Sequence, residues 1–293
     1  MDHIDHFSHG LLTPGLGFLV MCMAAVIGLR CTVRALSAVG GTKRMWLLVG
    51  ATAIGAGIWT LHFIAMLGFG VPGSTIRYDV PLTLLSLVLA IGVVSAGVFM
   101  VGYGRSRARS LLLGGLGTGL GVATMHYSGM AAVRLNGTIE YSAMLVLLSV
   151  IIAITAASAA LWIVLNVRGL QGTFIAALIM GLAVSSMHYT GMAAVTVEAV
   201  DETSSISGAT AMEFLFPLSV GIGALLFAAF TIVAVSPLDE ERQDADATRR
   251  YEALQARSAE FAERFEQQMS AAERQRPGTR RRTTKPVNRT PAP

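Results

Sequence analysis

Met187-His188-Tyr189-Thr190-Gly191-Met192-Ala193-Ala194-Val195 stands almost unchanged a second time, as Met125-His126-Tyr127-Ser128-Gly129-Met130-Ala131-Ala132-Val133. A worn third copy, Leu61-His62-Phe63-Ile64-Ala65-Met66, lies further upstream. From His62 to His126 is 64 residues, and from His126 to His188 is 62. In each copy a Met follows its His by four positions, which on an α-helix puts imidazole and thioether on one face, a turn apart. All copies sit inside long apolar runs, where an ionisable side chain is costly and marks a functional site by default.

The chain around them is that of a membrane protein. Hydrophobic residues make up 53% of it and charged residues 14%, against about 25% charged in a soluble domain, and the mean hydropathy is +0.61. Seven apolar runs, each near the ~20 residues a bilayer needs, fall at about 11–35, 45–69, 80–103, 111–134, 141–165, 173–197 and 212–235. Cys22 and Cys31 share the first run, roughly 13 Å apart along a helix, too far for a disulfide. The polar, acidic start lacks the positive region of a signal peptide, so the first run reads as a retained span.

Lys and Arg set the orientation. Arg30, Arg34, Lys43 and Arg44 surround the first link, Arg105, Arg107 and Arg109 fill the third, and Arg168 lies in the fifth. The opposite side holds only Arg77 and Arg134, together with Asp2, Asp5, Asp79, Glu140, Glu198, Asp201, Glu202 and Glu213. This places the N-terminus outside, the C-terminus in the cytoplasm, and the protein in the plasma membrane as a multi-pass chain. Arg30 and Arg34 are then expected to snorkel from an inner helix end.

The repeat is longer than its motif. Gly55, Gly119 and Gly181 each precede a motif His by seven residues, and Leu84–Ile91 resembles Leu147–Ile154. Three two-helix units follow, at about 11–69, 80–134 and 141–197, with the seventh span as an exit helix. Small residues let backbones approach, which would gather the three motif spans with their histidines in one layer in the outer leaflet. Residues 1–10 form an external His-containing segment. Ser236-Pro237 opens a charged cytoplasmic helix over 236–276. Its stripe of Tyr251, Leu254, Ser258, Phe261, Phe265 and Gln268 suits a homodimer through 237–276, or a solvated helix with scattered apolar residues. Residues 277–293, basic and Pro-rich, read as disordered and suited to anionic lipid.

Imidazole and thioether form a donor set that suits copper better than Mg or Ca. The candidate ligands are His62, Met66, His126, Met130, His188 and Met192. Tyr127 and Tyr189, displaced around the helix, suit hydrogen bonding to them, and Met125 and Met187 pack nearby. Two histidines could instead hold haem. A proton-responsive His cluster, or a polar network that holds the helices in register, uses the same residues. Met1, Asp2 and His3 offer a separate square-planar nitrogen set for Cu(II) or Ni(II), with His6 and His9 beside it. Phosphate-loop, HExxH and GxSxG patterns are absent from the sequence, no enzyme activity is expected, and no nucleic-acid partner is implied.

These motifs resemble the MHYT domain, a bacterial integral-membrane sensor family. The resemblance spans about residues 11–200, with the seventh run as the family's exit helix. It implies copper held by His62, His126 and His188 with Met66, Met130 and Met192, and sensing of oxygen, carbon monoxide or nitric oxide. Leu61 and Phe63 depart from the motif. Relatives often carry fused cyclic-dinucleotide or kinase domains, so this stand-alone form is expected to signal through its tail or a separate cytoplasmic partner. The expected fold is all-α and polytopic, with seven transmembrane helices. A metal transporter or permease is the alternative function, and a haem-binding membrane redox protein the second.

Overall fold

The computed structural model describes residues 10–71, 74–167, 169–199, 206–235, 248–249, 251–261, 263–264 and 268–269. The chain divides into two compact units, Met1–Leu238 and Asp239–Pro293. The first holds α1 (Leu12–Ser37), α2 (Gly40–Met66), α3 (Val80–Tyr103), α4 (Arg107–Ala131), α5 (Ala143–Asn166), α6 (Gly169–Ala193) and α7 (Phe216–Val235), which follows a π-helical turn at Ala211–Leu215. In the second unit residues 251–261 are helical, with Tyr251, Leu254, Ser258 and Phe261 exposed, as is Gln268; Phe265 and residues 270–293 lie outside the described residues.

This is an all-α polytopic membrane fold. Among the described residues six helices are long and apolar enough to cross a bilayer, and the fourth, α4, is the exception. It starts on Arg107 and Arg109 and spends six of its 25 residues on glycine, which lowers its hydropathy without shortening it. Neighbours run in order from α1 to α6, and α6 closes back onto α1, while α7 lies outside the ring against α1 and α2.

The repeated glycines do something other than the sequence suggests. They do not draw the motif helices together. A Cβ on Gly55 would strike Ala90 and Ile91 of α3, one on Gly119 would strike Ala153 and Ile154 of α5, and one on Gly181 would meet Phe18 and Cys22 of α1. Each motif helix is thus seated on the next helix round the ring: α2 on α3, α4 on α5, α6 on α1. The first helix of the chain completes the third pair. Both Cys22 and Cys31 are buried free thiols.

Two small sheets close the motif end, where the sequence reading had only polar links. Strand β1 (Arg77–Tyr78) pairs with β2 (Val133–Arg134) and β5 (Ala209–Thr210). Strand β3 (Gly137–Tyr141) pairs antiparallel with β4 (Val195–Ala199), from Gly137 opposite Ala199 to Tyr141 opposite Val195. The Ala-Ala-Val tail of each full motif starts these connections. Ala132 O accepts from Asp79 N, and Ala194 O from Ser142 N, both at 2.8 Å. Asp79 also caps α3, accepting from Leu82 N at 3.1 Å, and pairs with Arg134 at 2.9 Å. That guanidinium first, and then the Leu82 N–H, holds the Asp79 carboxyl below its ordinary range.

At the other end Arg30 does not snorkel. It is 2% exposed, and its Nε donates to Val233 O of α7 at 3.1 Å. The late carbonyls of a helix lack intrahelical partners and carry its negative dipole end, so a buried guanidinium finds both acceptor and charge there. Arg34 lies over the Trp46 ring, 5.0 Å from its centroid.

Candidate metal centre

Each motif helix delivers its histidine to the middle of the ring. His62, His126 and His188 are all buried, and one ring nitrogen from each lies within 4.8 Å of the others. The rings form a three-bladed propeller, with centroids 4.9, 5.0 and 5.2 Å apart and planes at 79°, 79° and 86°. Their Nδ1 atoms point inward: His62 Nδ1 is 3.0 Å from His188 Nδ1 and 3.1 Å from His126 Nδ1.

Elementary valence makes this unusual. A neutral imidazole nitrogen carries either one proton or one lone pair, so His62 Nδ1 cannot make two full hydrogen bonds to two other Nδ1 atoms. With the proton on Nε2, three lone pairs converge on one point. A cation or a shared proton relieves their repulsion. An ion about 2.0 Å from each of three coplanar nitrogens would separate them by about 3.5 Å, so the rings would part by about half an ångström to take one.

The outward-facing edges show why the motif carries glycine three residues after its histidine. A Cβ on Gly129 would run into the His62 ring at Nε2, and one on Gly191 would do the same to His126. Here the motif helices do approach one another, ring against backbone. Among the described residues His62 Nε2 and His126 Nε2 meet no hydrogen-bond partner. The worn copy carries Ala65 at the matching place.

Met66, Met130 and Met192 are buried in the apolar core. Each lies one turn, about 6 Å, further along its helix than the His, and long helical side chains lean back toward the N-terminus, that is, toward the histidine layer. Met125 is also buried, and Met187 lines a cavity below the site. Tyr127 and Tyr189 press edge-on against His126 and His188 at 4.9 Å, but the Tyr127 hydroxyl bonds to Ser149 Oγ of α5 at 2.7 Å. In the worn copy Phe63 supplies the ring, 4.6 Å from His62. Trp59 Nε1 donates to Ser86 Oγ of α3 at 3.0 Å, so the repeated serine keeps a partner. Met1, Asp2, His3, His6 and His9 lie outside the described residues.

Below the histidines the core turns dry. Ile58, Val122 and Val184 stand four residues before the three histidines, and Ile54, Thr118 and Met180 four before those; all six line a cavity of about 60 Å³. An alanine-rich face of α5 completes it. Its one hydroxyl, on Thr118, is directed at Val93 O at 3.5 Å. The sequence reading missed this layer, although three β-branched apolar residues one turn before three histidines were in plain view.

Comparison with known proteins agrees with the repeat. Residues 55–114 and 119–177 match the MHYT model, described as a bacterial signalling protein N-terminal repeat. Both stretches begin inside a motif helix and run into the next, the pairing that Gly55 and Gly119 make. The chain is 39% identical over 192 residues to the bifunctional diguanylate cyclase/cyclic di-GMP phosphodiesterase MucR of Pseudomonas aeruginosa, covering 64% of this chain and 28% of that one. It is 40% identical over 188 residues to the cyclic di-GMP phosphodiesterase NbdA of the same organism, covering 62% and 24%. With the signaling protein YkoW of Bacillus subtilis it shares 30% over 204 residues, covering 65% and 24%. The match therefore spans about a quarter of these relatives' length. No solved structure matches.

Proposed function

We propose that this chain, whose repeats belong to the MHYT family, is a membrane-embedded signalling sensor that holds copper between His62, His126 and His188. The observation that carries the reading is the convergence of Nδ1 atoms at 3.0 and 3.1 Å in a cluster that, among the described residues, contains no carboxylate. A soft methionine layer one turn away suits copper. Copper, when bound, supplies an open coordination position for a small ligand. The chain's own part is to exclude water, fix the ring orientation through Gly129 and Gly191, and offer an apolar space of about 60 Å³ one turn below. That space supports a diatomic gas as the ligand, since apolar cavities stay dry and take apolar guests.

Haem fits these residues poorly. Two axial imidazoles stand on opposite faces of a porphyrin with nitrogens about 4 Å apart, twice a metal–imidazole bond of about 2 Å. Here the rings pack against one another with no space for a macrocycle. Transport has no support either: below the histidines an ion would meet Ile58, Val122 and Val184.

The reading places the N-terminus outside, the metal in the outer leaflet, and the output at the cytoplasmic tail, with homodimer pairing through 237–276 and a separate signalling partner. The relatives' names suggest cyclic di-GMP turnover as the partner's chemistry. The test is metal analysis with absorption and electron paramagnetic resonance spectra on purified protein. His126→Ala and His188→Ala should each abolish bound copper. If both keep full metal content while losing thermal stability, the histidines are a structural polar network.

A further inference from the structure

A second cavity, of about 650 Å³, opens at the motif end where α1, α2 and α7 meet, bounded by Leu16, Val20, Ile64, Leu67 and Phe216. Two of its lining residues are polar. Thr13 is 7% exposed and Ser219 is 3% exposed, and among the described residues neither hydroxyl has a hydrogen-bond partner. Elsewhere in the bundle Thr32, Thr83 and Thr173 satisfy themselves on the carbonyl a turn back, while Thr60 of α2 is also left without a partner among the described residues but does not line this cleft. In a bilayer no water relieves an unmade bond, and each costs free energy.

The repeat explains why Ser219 is left over. It sits in Leu218-Ser219-Val220, matching Leu85-Ser86-Leu87 and Leu148-Ser149-Val150. Ser86 and Ser149 are engaged by Trp59 and Tyr127 of the adjoining motif helix. Because α1 fills the third place in the ring, α7 is displaced onto the outer side of α1 and α2, and it carries the third serine into this cleft.

We infer that the cleft binds one glycerophospholipid, with an ester carbonyl accepting from the Thr13 and Ser219 hydroxyls. The mouth is flanked by Leu12, Leu16 and Val220, all largely exposed, so the occupant arrives sideways from the bilayer. Among the described residues no charged side chain lines the cleft, so a neutral ester rather than a phosphate is the group matched to the two hydroxyls. Thr13 is the second residue of α1, and Ser219 lies eight residues into the helical span that starts at Ala211, roughly 12 Å from its end, a depth an ester carbonyl reaches when the lipid is drawn into the cleft. The volume lies in the range of about 300–1,000 Å³ typical of small-molecule sites. A lipid seated there touches α2 just beyond His62, at Ile64 and Leu67, and also the exit helix, so it bridges the two.

The experiment is native mass spectrometry of purified full-length protein titrated with dioleoyl phosphatidylglycerol, its ether-linked analogue, or a short-chain quinone. The wild type should retain one ester lipid after the others are stripped. Thr13→Val with Ser219→Ala should weaken that retention roughly tenfold or more, two hydrogen bonds' worth. The ether lipid should bind the wild type no better than the ester lipid binds the double variant. Gly223→Leu blocks the cleft without touching either hydroxyl, and a Cβ there meets nothing within 4 Å, so it should fold and lose the lipid. Equal retention of ester and ether lipid, retention by Gly223→Leu, or selective capture of the quinone would each overturn the inference.

Discussion

Gly129→Ala tests the ring-against-backbone contact that sets the histidine geometry. An added Cβ would lie 2.5 Å from His62 Nε2, 3.0 Å from its Cδ2 and 3.3 Å from Phe63 Cζ, where ordinary contact starts at 3.4 Å. The ring must therefore give by about 0.9 Å. Phe63 crowds the same side, and on the far side the Nδ1 neighbours already stand at 3.0 and 3.1 Å. A metal tolerates about ±0.2 Å in its ligand distances. Copper affinity should fall by about tenfold or more, and overpacking should cost about 1–3 kcal/mol. Gly117→Ala is the control: it lies on the same helix, and a Cβ there meets nothing within 4 Å. It should gain about 0.5–1 kcal/mol of helix stability and keep its metal. Copper titration and thermal melting of both proteins read the two effects. Should Gly129→Ala bind copper as the wild type does and melt with Gly117→Ala, the ring has slack and the packing argument is wrong.

Arg30→Leu removes the tie to Val233 O, worth about 1.5–3 kcal/mol for a charge-assisted bond, so a thiol probe at Val233→Cys should label several-fold faster with the bundle intact; an unchanged rate would show that α7 is seated without it. Asp79 contributes stability that is present above the ordinary carboxyl range and lost as pH falls through its depressed value. Asp79→Asn should therefore flatten the acid limb of the melting profile, and a superimposable limb would count against the Arg134 pair. Met130→Leu and Met192→Leu conserve bulk and should weaken Cu(I) more than Cu(II); an equal loss of both ions would remove thioether from the site. Reporter fusions after residues 108 and 170 should read cytoplasmic, and after 75, 137 and 205 external; a cytoplasmic reading at 205 would sink that topology.

The histidine triad was legible because repetition exposes a layer: three copies at nearly equal spacing in one helix frame must arrive at one depth. The helix runs were legible for the same reason apolar runs always are. What the sequence hid were partners chosen by tertiary placement. Gly55, Gly119 and Gly181 announce close packing, but only the ring order shows that they face α3, α5 and α1. Tyr127 lays its ring against His126, but the partner of its hydroxyl, Ser149 on α5, is set by tertiary placement. Arg30 lies near a helix end, where snorkelling is the default, yet the end of α7 offers it carbonyls. The short strands β1 to β5 carried no periodic signal, being two to five residues long.

The closure of the ring by α1 on α6 has a consequence for biogenesis. Helix α1 must wait for α6, and the contact between His62 and His188 joins residues 126 positions apart. Pairs α2–α3 and α4–α5 can form as they are inserted, since their contacts are local and local contacts form fast. The third pair cannot, and neither can the centre it completes. On the copper reading proposed above, metal acquisition would come late in synthesis: a chain truncated before α6 lacks His188 and cannot close the ring, so copper occupancy would report only chains that have completed α6.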